Sequence, residues 1–186
     1  MLARDRLSPG KYALRVEDYL RLCDADAFDD RRTELIGGDV LVMAPEYRPH
    51  AFVRDELTYR LRRMLETIGS TLYPTGGSVF ISDNDMPQPD IVLTREPRGP
   101  GAIPSASVAL IVEISSTTLA IDMGRKREAY AAAGIAEYWV VEVESRIIHL
   151  MSSPAGSTFR HHRRVAIGQP LAAATIPGLT VSTNGL

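Results

Sequence analysis

The stretch VALIVEIS, residues 108–115, constrains the fold more than any other. Successive residues of a strand point to opposite faces, and here both faces are apolar up to Glu113. Such a strand has to be covered on both sides, which places it at the centre of a sheet with further layers packed against it. The same strand carries a carboxylate within Leu110-Ile111-Val112-Glu113-Ile114. Burying an ionised group without a partner is strongly unfavourable, so Glu113 is ion-paired, protonated or bound to a metal.

A second acidic residue stands at the entrance of another apolar run, in PQPDIVL, residues 87–93. Proline cannot donate a ladder hydrogen bond, so Pro87 and Pro89 precede a strand and Asp90 opens it. Aspartate is common in strand-entry turns. The alternative is a ligand role. If the strands 89–94 and 108–115 are antiparallel neighbours, Asp90 and Glu113 converge, and two convergent carboxylates suit a hard cation such as Mg²⁺.

The remaining pattern surrounds these strands with helices and hairpins. Residues 16–23 read as a short amphipathic helix. Residues 33–43 read as a hairpin turning at Gly37-Gly38, because primed turns need positive φ. Val53, Leu57, Leu61, Met64 and Ile68 recur at helical steps, and Gly69 ends that helix. Gly76-Gly77 between 70–75 and 78–82 predicts a further hairpin. A Pro/Gly-rich loop follows at 96–105, and a helix at about 118–133 ends at Gly134. Strands are expected at 137–144, 146–151 and 158–165, with an irregular tail from Gln169. This order predicts a single domain of α+β or mixed α/β class over the 186 residues, without repeats.

The charge balance narrows the functional classes. A net charge of −2 excludes a passive nucleic-acid coat, yet is compatible with an enzyme whose acidic site offsets a basic rim. Basic clusters occur at Arg60-Arg62-Arg63, Arg125-Lys126-Arg127 and in RHHRR at 160–164; each alone reads as solvated surface. The lone Cys23 forms no internal disulfide, the N-terminus shows no apolar leader, and no run of 18 apolar residues occurs. The expectation is a cytoplasmic protein without membrane association.

Of 21 basic residues only Lys11 and Lys126 are lysine. Leu119, Met123, Lys126, Tyr130 and Ala133 step by 4, 3, 4 and 3, which puts Lys126 on the inward stripe of its helix. A lysine can have its pKa lowered by burial and take part in proton transfer, whereas arginine stays charged. The plainer alternative is a surface i,i+4 pair with Asp122.

Taken in order, Glu34-Leu35-Ile36 before a glycine turn, His50, Pro89-Asp90, Glu113 with Ser115-Ser116-Thr117, Asp122, Lys126 and Gly134-Ile135-Ala136-Glu137-Tyr138-Trp139 resemble the Uma-two family of restriction endonucleases. That family lies within the PD-(D/E)XK nuclease superfamily, and the resemblance spans roughly residues 12–150. It implies a restriction-endonuclease-like fold, a central mixed sheet flanked by helices. It further implies a metal site of Asp90, Glu113 and Ile114 for Mg²⁺ or Mn²⁺, an auxiliary acid at Glu34, and His50 near the scissile phosphate. The superfamily pattern puts a lysine two residues after Glu113, where this chain has Ser115. The resemblance implies that the lysine has migrated to Lys126 on the following helix.

The implied activity is metal-assisted hydrolysis of DNA phosphodiester bonds by a homodimer, since cutting both strands with one site per chain favours two-fold symmetry. Two rivals stand beside it. One is a decayed nuclease fold that only binds nucleic acid or a protein partner, and the other is a hydrolase of a different phosphate ester. Trp139 and Tyr138 are expected in the core.

Overall fold

In the computed structural model, residues 10–186 are described; residues 1–9, where the sequence predicts no apolar leader, lie outside the described residues. Helix α1 (Val16–Asp24) leads into a hairpin of β1 (Thr33–Ile36) and β2 (Asp39–Val42), followed by the long helix α2 (Arg48–Thr67). Next come β3 (Tyr73–Thr75), β4 (Val79–Phe80), β5 (Ile91–Thr94), β6 (Ile103–Pro104) and β7 (Val108–Ser115). A helical segment then runs as α3 (Leu119–Ile121), a π-turn (Asp122–Lys126) and α4 (Arg127–Ala132). It returns through β8 (Glu137–Glu142), β9 (Ile147–Ala155) and β10 (Thr158–Ala166), and ends in β11 (Leu171–Ala172) and β12 (Thr180–Val181).

Six strands form one sheet in the order β10-β9-β8-β7-β5-β3, so the strand apolar on both faces is interior, as its sequence requires. Strands β7 and β8 are parallel, joined by the helical crossover, and the other neighbours are antiparallel. One face packs Leu110, Val112, Trp139 and Val141 against Val53, Leu57, Leu61 and Leu65 of α2 and the C-terminal segment. The other packs Ile111, Tyr138, Val140 and Met151 against Tyr130 and Ala131 of α4. Helix α1 and the β1–β2 hairpin form a smaller cluster around Leu35 and Met86, tied by a bridge between those two residues.

Three expectations are corrected. The segments around Gly76-Gly77 do not pair with each other. Strand β3 pairs with β5, from Tyr73 opposite Thr94 to Thr75 opposite Val92, while β4 pairs in parallel with β6. The turn fits neither tight primed type: type I′ needs positive φ at both central residues and type II′ at the first, and here only the second, Gly77, has it, at 134°. At Gly37 and Gly38 the φ values are 58° and 76°, and that hairpin forms. The tail expected to be irregular closes instead with the short β11–β12 pair. On α2 the buried position is Leu65, with Met64 and Ile68 only partly covered.

Candidate active site

The register that brings Ile91 opposite Val112 continues one step to bring Asp90 opposite Glu113. Both line a cleft of about 160 Å³ at this end of the sheet, together with Glu34, Glu46, His50, Arg54, Ile114, Asp122 and Lys126. The antiparallel pairing of the two strands therefore holds, and the two carboxylates share one site.

Each carboxylate is fixed by one oxygen. Asp90 Oδ2 accepts the backbone N–H of Ile114 at 2.7 Å and lies 3.3 Å from His50 Nε2. Glu113 Oε1 accepts the Tyr130 hydroxyl at 2.8 Å and Lys126 Nζ at 3.1 Å. Among the described residues no hydrogen bond reaches Asp90 Oδ1 or Glu113 Oε2. Neither oxygen is an enclosed atom without a partner, a condition found among the described residues only at Arg127 Nε. Two carboxylate oxygens with spare acceptor capacity thus belong to residues that line the cleft.

Lys126 sits among acids. Its ammonium is 3.0 Å from Glu34 Oε2, 3.1 Å from Glu113 Oε1 and 3.8 Å from Asp122 Oδ1, and all four side chains are at most 7% exposed. Burial by itself would push the lysine pKa down, but the charges of Glu113, Glu34 and Asp122 outweigh it and the net direction is upward. The sequence suggested a lysine lowered into the proton-transfer range; the structure holds it protonated. The expected i,i+4 pair with Asp122 also exists, but inside the protein rather than on its surface. A π-turn spans both residues, and such turns are frequent at functional sites.

One lysine cannot neutralise several acids. Burial drives the Glu113 pKa well above the ordinary carboxylate range; Lys126 opposes the rise, and Asp122, Asp90 and Glu34 add to it. Asp122 is raised for the same first reason, with Lys126 and its Thr118 hydroxyl bond (2.6 Å) pulling the other way. The cluster as a whole is short of positive charge.

Glu34 is buried on β1, where Oε2 also accepts the Gln88 N–H at 3.0 Å. This places it at the lysine rather than on an exposed strand edge. His50, in the first turn of α2, bridges Asp90 and Glu46, with Nδ1 3.0 Å from Glu46 Oε1. The hydrogen bond to Asp90 is the main cause that raises its pKa, against burial, with both acids assisting. All of Glu34, His50, Asp90, Glu113, Ile114 and Lys126 meet in this cleft.

Sequence reasoning did not assign roles to Asp122, Tyr130 or Glu46. Tyr130 was visible as the inward residue one turn beyond Lys126. Asp122 was weighed only as a surface partner, and nothing in the pattern around Glu46 marks it.

The fold resembles that of a solved protein from Anabaena variabilis described as a putative nuclease belonging to DUF820. The TM-score is 0.66 at 14% identity, covering 86% of this chain and 89% of the other. The architecture is thus that of a nuclease fold. A family model described as "Uma2: Putative restriction endonuclease" matches residues 16–184, so the chain belongs to the Uma2 family, and its class is nuclease-type. No curated protein matches the chain.

Proposed function

We propose that this protein is a metal-dependent endonuclease hydrolysing DNA phosphodiester bonds in the cleft of Asp90, Glu113 and Lys126. The observation that supports this most is the pair of spare oxygens, Asp90 Oδ1 and Glu113 Oε2, on two carboxylates that line one cleft. Among the described residues no three His, Cys, Asp or Glu side chains form a cage for a metal ion. That is compatible with Mg²⁺ or Mn²⁺ chemistry, because Mg²⁺ is commonly held by one or two carboxylates with water and phosphate completing the shell. Asp90, Glu113 and the backbone of Ile114 would hold the ion. The chemistry such an ion supplies is polarisation of the phosphate and acidification of a bound water.

The chain's own residues account for the rest. The Ile114 N–H and His50 engage one oxygen of Asp90 and leave the other available. Tyr130 and Lys126 do the same for Glu113. Lys126, held charged, offsets negative charge that develops on the phosphate, and Glu34 anchors its ammonium. Scission of both strands with one site per chain favours a two-fold dimer, so the reading includes one. Plasmid nicking and linearisation with Mg²⁺ or Mn²⁺, in wild type and Asp90→Asn, test it. Cleavage that needs the metal and disappears in the variant is expected; cleavage by the variant at the wild-type rate overturns the assignment.

A further inference from the structure

The cations of RHHRR lie far from the acid cleft in sequence, and the structure gathers them on β10, the outermost strand of the central sheet. Arg160, His161, His162, Arg163 and Arg164 are all exposed. Direct cross-strand partners share a face, so His162 (opposite Met151) and Arg164 (opposite His149) stand on one side of the sheet edge. His161 (opposite Ser152) and Arg163 (opposite Leu150) stand on the other. Among the described residues none of these five makes an ion pair, whereas Arg15, Arg21, Arg54, Arg60 and Arg125 each have an acidic partner.

A histidine and a further arginine back the row. His149 stacks on His162 at 5.0 Å, with Nδ1 2.8 Å from His162 Nε2. The charge of Arg127 on α4 also reaches His162, and Arg127 Nε is a buried donor without a hydrogen-bond partner among the described residues. Glu142 is the nearby acid, and it is engaged by His149. In a chain with a net charge of −2, three exposed arginines on one strand, with Glu142 as the acid that the charge of Arg164 reaches, are a local reversal of the average.

The row is also aligned with the cleft. Glu113 is opposite Val140, Val140 opposite His149, and His149 opposite Arg164. Arg164 is therefore three strand spacings from Glu113 on the same cross-strand row, roughly 14 Å at about 4.8 Å per strand. A duplex advances about 3.4 Å per base pair, so that separation corresponds to about 4 base pairs. We infer that the exposed strand β10, through Arg160, Arg163 and Arg164, is a docking surface for the phosphate backbone of duplex DNA flanking the cleavage site. Contacts of this kind position a substrate without reading its sequence. The inference rests on the nuclease reading for its substrate, but concerns binding rather than chemistry.

The test measures binding of a 30-base-pair labelled duplex by fluorescence anisotropy in EDTA, over a series of salt concentrations. The wild type is compared with the triple variant Arg160→Gln, Arg163→Gln, Arg164→Gln and with the matching triple Arg→Lys variant. Melting temperatures establish that each is folded. In the Gln variant the slope of log K against log salt should shrink by roughly 2–3, about 0.9 per lost phosphate contact, and binding should weaken at least about tenfold near 0.1 M salt. The Lys variant should keep the slope. An unchanged slope in the Gln variant overturns the surface and assigns the row to protection of the sheet edge by charge. So does equal loss of slope in the Lys variant, or binding of phosphatidylserine vesicles without binding of duplex. Because no metal is present, the two readings fail separately. Duplex binding through β10 without Mg²⁺-dependent cleavage would remove the nuclease reading alone; cleavage with an unchanged slope would remove the surface alone.

Discussion

Two glutamates are buried on adjacent parallel strands of this sheet, and they are held in opposite ways. Glu137 opens β8 and is 1% exposed. Its Oε1 accepts Trp139 Nε1 at 2.8 Å and the Ala174 N–H at 3.0 Å, while Oε2 accepts the Thr175 N–H at 2.9 Å and its hydroxyl at 2.8 Å. Four donors converge on it, and together they tie the C-terminal segment to the sheet. Glu113 on β7 is 3% exposed, but both of its bonds fall on one oxygen and its electrostatic neighbours are chiefly acids. Burial of a carboxylate does not by itself mark a site. The distribution of donors does: a saturated carboxylate fastens structure, and one left with a spare oxygen among other acids is available to a ligand.

The same substitution should separate the two most clearly. Glu137→Gln replaces one acceptor oxygen with an amide that faces donors, leaving buried N–H or O–H groups unpaired; the expected loss is about 3–5 kcal/mol. Glu113→Gln removes a desolvated acid from an acid-rich cluster, so metal-free stability should stay within about 1 kcal/mol of wild type or rise, while cleavage disappears. Urea unfolding of both variants in EDTA measures the difference. A larger loss at position 113 than at 137 would reverse the comparison and make Glu113 the structural residue.

Lys126 is the next place to press. Arginine preserves its charge, but the side chain is 5% exposed between Glu34 and Glu113, and a bulkier planar head displaces it. Lys126→Arg should keep metal and DNA binding while cleavage falls by about 10²-fold, the scale of a small misplacement at a reacting centre. Single-turnover rates with saturating protein measure it. If the rate is unchanged, the position needs charge alone and not the geometry of the ammonium.

Much of this site was legible in the sequence, for a definite reason. An apolar run with a single carboxylate fixes both the strand and its depth, and two prolines before Asp90 fix where the next strand begins. The antiparallel pairing that brings the acids together was a condition the sequence could only pose, and the structure meets it. The helical stripe correctly turned Lys126 inward. What the pattern did not carry was the company it keeps. Asp122 is one α-helical turn from Lys126 by spacing, and spacing cannot say whether such a pair faces water or the sheet. The direction of the lysine's pKa depended on that answer. Around Gly76-Gly77 the failure was of another kind, since two glycines permit a tight turn and do not require it; pairing with β5 won.

Metal should act on one glutamate and not the other. A ligand that binds only the folded state stabilises it by about 1.4 kcal/mol at ten times its Kd. Mg²⁺ or Mn²⁺ should therefore raise the Tm of wild type and of a Tm-matched surface control, and leave Asp90→Ala unmoved. Calorimetric scans across metal concentration provide the measurement. A full shift in Asp90→Ala would place the ion elsewhere.

The smallest expected effect concerns protons. Glu113 and Asp122 have pKa values raised in the folded protein, chiefly by burial, and that of His50 is raised, chiefly by its bond to Asp90. A group with a raised folded pKa holds its proton more tightly when folded. Its stabilisation is complete below the unfolded value and fades as the pH rises through the folded one. For the two acids that loss begins in the ordinary carboxylate range, and for His50 above about 6.5. All three have the same sign, against the opposite contribution of His162, whose pKa burial lowers, so the cleft's share of the metal-free stability should fall as the pH climbs from 5 to 8. Saturating Mg²⁺ should flatten the profile, because a cation beside Asp90 and Glu113 lowers the acids' pKa values and weakens the imidazolium's hold. His50→Gln should lose only the upper part of the metal-free slope. A metal-free profile that rises between pH 5 and 8 would mean that the cleft's acids are stabilised as anions, and the shortage of positive charge around Glu113 would not be the feature that sets it apart from Glu137.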